Sequence, residues 1–126
     1  KINEAKEILE KIIEEKHKFY SPLALYFIID NNLEKDSLKI INFFDDILSI
    51  NSIELENLNL IKIKKAIFLF ELKDEKLILN TLNPVINSNS VWRNMAIELI
   101  SDYYLFLDQR TKANEYIQLL NNKTTK

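Results

Sequence analysis

A chain of 126 residues with 47% apolar content is sized for one core, and 17 basic against 19 acidic side chains give a formal charge of -2. That balance excludes the broad basic field of a nucleic-acid surface. The absence of Gly excludes phosphate-cradling loops. The absence of Cys excludes disulfides, thiolate metal sites and cysteine nucleophiles. With two Pro and no run of eighteen apolar residues, the sequence reads as one all-α domain over residues 1–126, its helices joined by short Asn, Asp and Ser connections.

Ile2, Ala5, Ile8, Leu9, Ile12 and Ile13 recur at helical spacing and predict an amphipathic helix over 3–18. Ser21-Pro22 is a helix-start signal, since a Ser oxygen caps free amides and Pro fits the first turn, so a second helix is expected over 21–32. Its unbroken run from Leu23 to Ile29 predicts burial on more than one face, with a strand as the competing reading. Asp36 is the expected cap of a helix over 36–49, buried through Leu38, Ile41, Phe44, Ile47 and Leu48.

Asn51 and Glu54 fit a capping box for a fourth helix over 52–72, with Leu55, Leu58, Ile61, Ile63, Ala66, Ile67 and Phe70 toward the core. Lys73-Asp74 marks a turn into a short helix over 74–83, which Asn83-Pro84 stops or kinks because Pro disfavours helical geometry in the preceding residue. After a loop-like stretch at 87–90, Ser90 is the expected cap of a helix over 90–107 whose face is Trp92, Met95, Ala96, Leu99, Ile100, Tyr103 and Leu107. Asp108, Gln109 and Arg110 break that pattern. Ala113, Tyr116, Ile117 and Leu120 then carry a last helix over 109–121, and the small Ala96 and Ala113 would let the two backbones approach closely.

Helix pairs begin near Ser21, Ser52 and Ser90, at offsets of 31 and 38 residues, close to the tetratricopeptide period of about 34. Ser101-Asp102, Leu107-Asp108 and Lys112-Ala113 followed by Tyr116 and Leu120 resemble the small residue, turn, Ala, aromatic, Leu order of a tetratricopeptide-like repeat; Leu33-Glu34, Asp36-Ser37 and Phe44 echo it. The resemblance covers residues 21–120 and departs from the family pattern in lacking every Gly. It implies a right-handed stack of about three helical hairpins preceded by one helix. In layout the chain is also similar to the soluble part of bacterial ancillary Sec-translocon-subunit type proteins. That likeness implies an inner-membrane anchor upstream and a periplasmic domain meeting translocating chains and chaperones. Lys1 lies in mid-pattern without a preceding Met, so an apolar segment of about twenty residues is expected upstream. A cytoplasmic location is the alternative.

Candidate chemistry is sparse. His17, the only His, sits beside Glu14, Glu15 and Lys16 and reads as a solvated residue rather than a base or metal ligand. Asp45-Asp46 point about 100 degrees apart on a helix and do not form a carboxylate pair. Lys62, Lys64 and Lys65 are the one dense basic cluster; Lys62 and Lys65 share a face that suits a carboxylate or phosphate, against a plain solvated face. Trp92 and Tyr103 read as core, whereas Tyr104 falls off the apolar register and reads as surface. Asn122-Lys123-Thr124 matches a glycosylation sequon.

These readings favour a non-enzymatic interaction module that holds a partner peptide or helix on a concave face, with no cofactor, metal or nucleic acid. Tyr26, Asp30, Lys62, Lys65, Glu98, Asp102 and Leu105 are the expected partner-binding residues, chosen because they lie on the first arms of the hairpins and mostly off the apolar stripes. A structural unit that homo-oligomerises through its first helix is the alternative. An enzyme would need a carboxylate- or Tyr-based site.

Overall fold

The computed structural model describes residues 1–121. Among them are seven α-helices and no strand: α1 (Ile2–Glu14), α2 (Tyr20–Asp30), α3 (Ser37–Leu48), α4 (Leu55–Phe70), α5 (Glu75–Ile86), α6 (Arg93–Phe106) and α7 (Arg110–Ile117), the last followed by a 3-10 turn, Gln118–Asn121. The run from Leu23 to Ile29 is thus helical. The sequon at Asn122 lies outside the described residues. The span read as one domain divides into two compact units, Lys1–Ile61 and Lys62–Lys126, with the boundary inside α4.

In the first unit α1 packs on α2 and α3, and α2 on α3. The buried side chains include Ile13, Leu25, Ile28, Ile40, Phe43, Phe44 and Ile47; fully burying one such side chain contributes about 2 kcal/mol. Ser21 does not act as the expected cap. It is fully buried, its hydroxyl donates to the Ile12 carbonyl at 2.7 Å, and it accepts from the His17 amide at 2.8 Å, so it ties the end of α1 to the start of α2. The capping falls to exposed His17, whose Nδ1 accepts from the amides of Phe19 (3.1 Å) and Tyr20 (3.2 Å). Helix α2 is buried along Ser21, Pro22, Ala24, Leu25 and Ile28. Tyr20, Leu23 and Phe27, at three- and four-residue spacing, stay exposed, contrary to burial on several faces.

Four ion-paired side chains fasten this unit at its polar edge. Lys6 on α1 meets Glu34 at 2.8 Å, and Lys39 on α3 reaches both Glu34 (3.5 Å) and Glu10 on α1 (3.2 Å). The other Glu34 oxygen accepts from the Asp36 amide at 2.9 Å. Asp36 caps α3 as expected, accepting from Leu38 N at 3.0 Å. The buried face of α3 is Ile40, Phe43, Phe44 and Ile47, which leaves Leu38 exposed instead of buried.

In the second unit α6 packs on both α5 and α7, which supports the hairpin read from 90 to 120. Ala96 and Ala113 are buried, and the Ser101 hydroxyl donates to the Ala113 carbonyl at 3.1 Å. The buried face of α6 is Ala96, Ile97, Ile100, Ser101, Tyr103 and Tyr104, rotated from the expected one, so Met95 is exposed and Trp92 only half-buried. Arg93 clasps two ends of the unit, its guanidinium donating to the carbonyls of Ile86 (2.8 Å) and Leu119 (3.2 Å).

Several boundaries differ from expectation for local reasons. Lys16 at φ 55° ends α1 before residue 18. Helix α4 starts at Leu55 rather than within the Asn51/Glu54 box, and Leu55 and Ile67 are exposed while Asn59 and Lys65 are buried. Asp74 caps α5 by accepting from Leu77 N at 3.2 Å, and the helix runs through exposed Pro84 to Ile86 instead of stopping at residue 83. Burial of Val85 and Ile86 carries the helix past the hydrogen bond that Pro removes. Ser90 Oγ accepts from Trp92 N at 3.0 Å, so it caps the turn before α6.

Candidate functional site

A cavity of about 330 Å³ opens on the second unit, lined by Phe70, Glu71, Lys73, Asp102, Tyr103 and Phe106. Two helix ends build it. Helix α4 stops at Phe70, and the chain turns there through Leu72 N to Leu69 O (3.0 Å) and Lys73 N to Phe70 O (3.1 Å), with Lys73 at φ 55°. Helix α6 stops at Phe106, where Asp108 N reaches Leu105 O (2.9 Å), Gln109 N reaches Tyr104 O (2.8 Å), and Asp108 takes φ 61°. Such left-handed residues close helix ends, a position that Gly fills in most chains.

The wall is almost all carbon. Buried Tyr103 and half-buried Phe70 have ring centroids 5.4 Å apart, and Phe106 is 75% exposed. The Lys73 ammonium lies 5.7 Å from the Phe106 ring centroid, in cation-π range. Glu71 and Asp102 are exposed beside this apolar wall. Burial, with the charges of Glu75 and Asp74, pushes the Tyr103 phenol above its ordinary range.

Behind the pocket a tyrosine cluster fixes α6. Tyr104, expected at the surface, is buried: its hydroxyl donates to Glu75 Oε2 at 2.8 Å, its ring stacks on Tyr116 at 5.9 Å, and Lys112 lies 5.3 Å from its centroid. Lys112 also approaches Glu75 at 3.6 Å. Burial first, then the hydrogen bond to Glu75, drives the Tyr104 phenol strongly upward.

The expected partner-binding residues separate on inspection. Glu98, Asp102 and Leu105 share one exposed face of α6 with Met95, and Asp102 lines the pocket. Lys62 is half-buried and Lys65 is only 9% exposed, so the pair does not present a basic face to a ligand. Tyr26 and Asp30 belong to the first unit. Tyr26 is half-buried, and burial pushes its phenol up to about 12, while Asp30 is exposed at the end of α2. Sequence reasoning missed Phe70, Glu71, Lys73 and Phe106. Each Phe stands at a helix stop, but nothing in the sequence pairs the stop at Phe70 with the one at Phe106.

Among the described residues no group of three or more His, Asp or Glu side chains is placed to hold a metal ion, and no helix is long and apolar enough to cross a membrane. No family model, no curated protein and no solved structure matches the chain.

Proposed function

We propose that this chain is a protein-interaction module that holds a peptide of a partner along the exposed face of α6 and in the pocket at its C-terminal end. The observation that carries the reading is the apolar cavity with an aromatic side chain, Phe106, left three-quarters exposed at its margin. Aromatic anchors of this kind dominate binding energy at interfaces. Within each unit consecutive helices pack on one another, α1 on α2 and α2 on α3, α5 on α6 and α6 on α7, and such pairing supports the tetratricopeptide-like reading. In this reading the module works without catalysis or cofactor. The membrane-anchored, periplasmic setting linked to protein translocation rests on the resemblance in layout alone.

Peptide display against the full chain tests the proposal. Selected peptides are expected to lose about tenfold in affinity on Phe106→Ala and to bind Leu38→Ala unchanged, since Leu38 is comparably exposed in the first unit. Equal binding to both variants would move the site away from α6.

A second reading has its own observation. Ile2 and Ile8 on α1 are exposed apolar side chains, which favours self-association through the first helix. Sedimentation of the full chain and of Ile8→Lys separates the two: a concentration-dependent dimer lost in the variant supports assembly through α1, and a monomer in both removes it.

A further inference from the structure

The pocket is electrostatically one-sided. Helices α4 and α6 both end at it, each C-terminus carrying a partial negative charge of about half an elementary unit, and neither has a basic residue in its last turn to offset that charge. Glu71 and Asp102 add two carboxylates. Phe70, Tyr103 and Phe106 line it with aromatic rings, whose faces are the negative side of the ring quadrupole, and a cation already lies over that of Phe106. Against the negative groups stands that one cation, Lys73.

We propose that the pocket takes the basic side chain of a partner peptide, an arginine or lysine whose hydrocarbon stem lies on the aromatic wall and whose charge faces the two helix ends and the carboxylates. The proposal rests on the peptide-binding reading above and names the anchor of that peptide. A guanidinium suits the site better than an ammonium, because it is more weakly hydrated and stacks on aromatic rings. Lys73 is the internal competitor: it occupies the ring face that an incoming cation needs, and it is tethered to a turn rather than to a helix. An acidic peptide finds two carboxylates and two negative helix ends here and is refused. A neutral apolar side chain gains the carbon wall and none of the charge.

The test uses the full chain labelled with nitrogen-15 and three probes: the capped pentapeptide Ala-Leu-Arg-Leu-Ala, the same peptide with norleucine replacing its arginine, and tetramethylammonium chloride. The arginine peptide is expected to shift the amide signals of Glu71, Asp102 and Phe106, to bind at least about threefold tighter than the norleucine peptide, and to weaken with added salt. Asp102→Asn is expected to weaken it about threefold, and Lys73→Met, which frees the Phe106 ring, to strengthen it by a similar factor. Asp102 and Lys73 are exposed, and unshifted signals from α7 confirm that each variant is folded. Equal binding of the arginine and norleucine peptides overturns the cationic anchor while leaving the peptide reading intact. No shift at these amides with any probe overturns both. Tighter binding of tetramethylammonium than of the arginine peptide overturns the peptide anchor in favour of a free organic cation.

Discussion

The two units hold their helices together by different means. In the first, α1 and α3 are joined at their polar edge by the ion chain Lys6, Glu34, Lys39, Glu10. In the second, α5, α6 and α7 meet through aromatic rings and a phenol bond, Tyr104 to Glu75, with Tyr116 stacked behind. The difference places their pH sensitivities at opposite ends of the scale. Lys6 and the Asp36 amide hold the Glu34 carboxyl down at about 2, from an ordinary 4.5. Its contribution is therefore present above about pH 4.5 and is lost as the pH falls toward 2. The Tyr104 phenol is held above its ordinary 10, so its contribution is present below about pH 10 and is lost as the pH rises beyond that.

The sharpest way to break the second unit is at its closest helix contact. Ala113→Arg forces a long charged chain between α6 and α7 and is expected to cost about 3 kcal/mol, whereas Asn114→Arg, one residue on and exposed, is expected to leave the melting temperature unchanged. Equal melting of the two variants would contradict the register of α7. Next in size, Tyr104→Phe removes the hydroxyl bonded to Glu75 and is expected to cost about 1.5 kcal/mol by denaturant unfolding at pH 7. The same variant should also flatten the alkaline limb of the second unit's stability. In the first unit, Glu34→Gln is expected to cost about 1 kcal/mol at pH 7 and nothing near pH 2. Amide hydrogen exchange followed at both pH values measures this; an equal loss at both would mean that the carboxylate charge is not what fastens α1 to α3. The smallest effect is a gain. Lys16→Gly relieves a left-handed Lys at the end of α1 and is expected to add about 0.5 kcal/mol, the relief being partly offset by the extra freedom of Gly in the unfolded chain.

The helices were legible because polar breaks such as Lys73-Asp74 and Asp108-Gln109-Arg110 separate apolar runs. Their buried faces were less so. On α6 the apolar and small residues Met95, Ala96, Ile97, Leu99, Ile100, Tyr103 and Tyr104 surround most of the circumference, so several registers are nearly equally apolar and neighbouring helices choose among them. Lys65 shows the same limit from the other side, because a long aliphatic stem lets a charged residue occupy a buried position. Within the candidate site, Asp102 was reachable by asking which first-arm residues lie off the stripe. Phe70 and Phe106 were not, since they come together only when two helices 36 residues apart end side by side.

Within each unit the helix pairs that pack join elements that are adjacent or next but one along the chain: α1 with α2 and α3, α2 with α3, α5 with α6, and α6 with α7. Bringing such neighbours together closes only short loops, so little chain entropy is lost before contacts form. Refolding should therefore be fast, on the microsecond-to-millisecond scale of helical proteins dominated by local contacts, and should show no slow phase other than one traceable to the bonds preceding Pro22 and Pro84. A nascent chain could assemble each hairpin as soon as its second helix is available, without waiting for residues still to come.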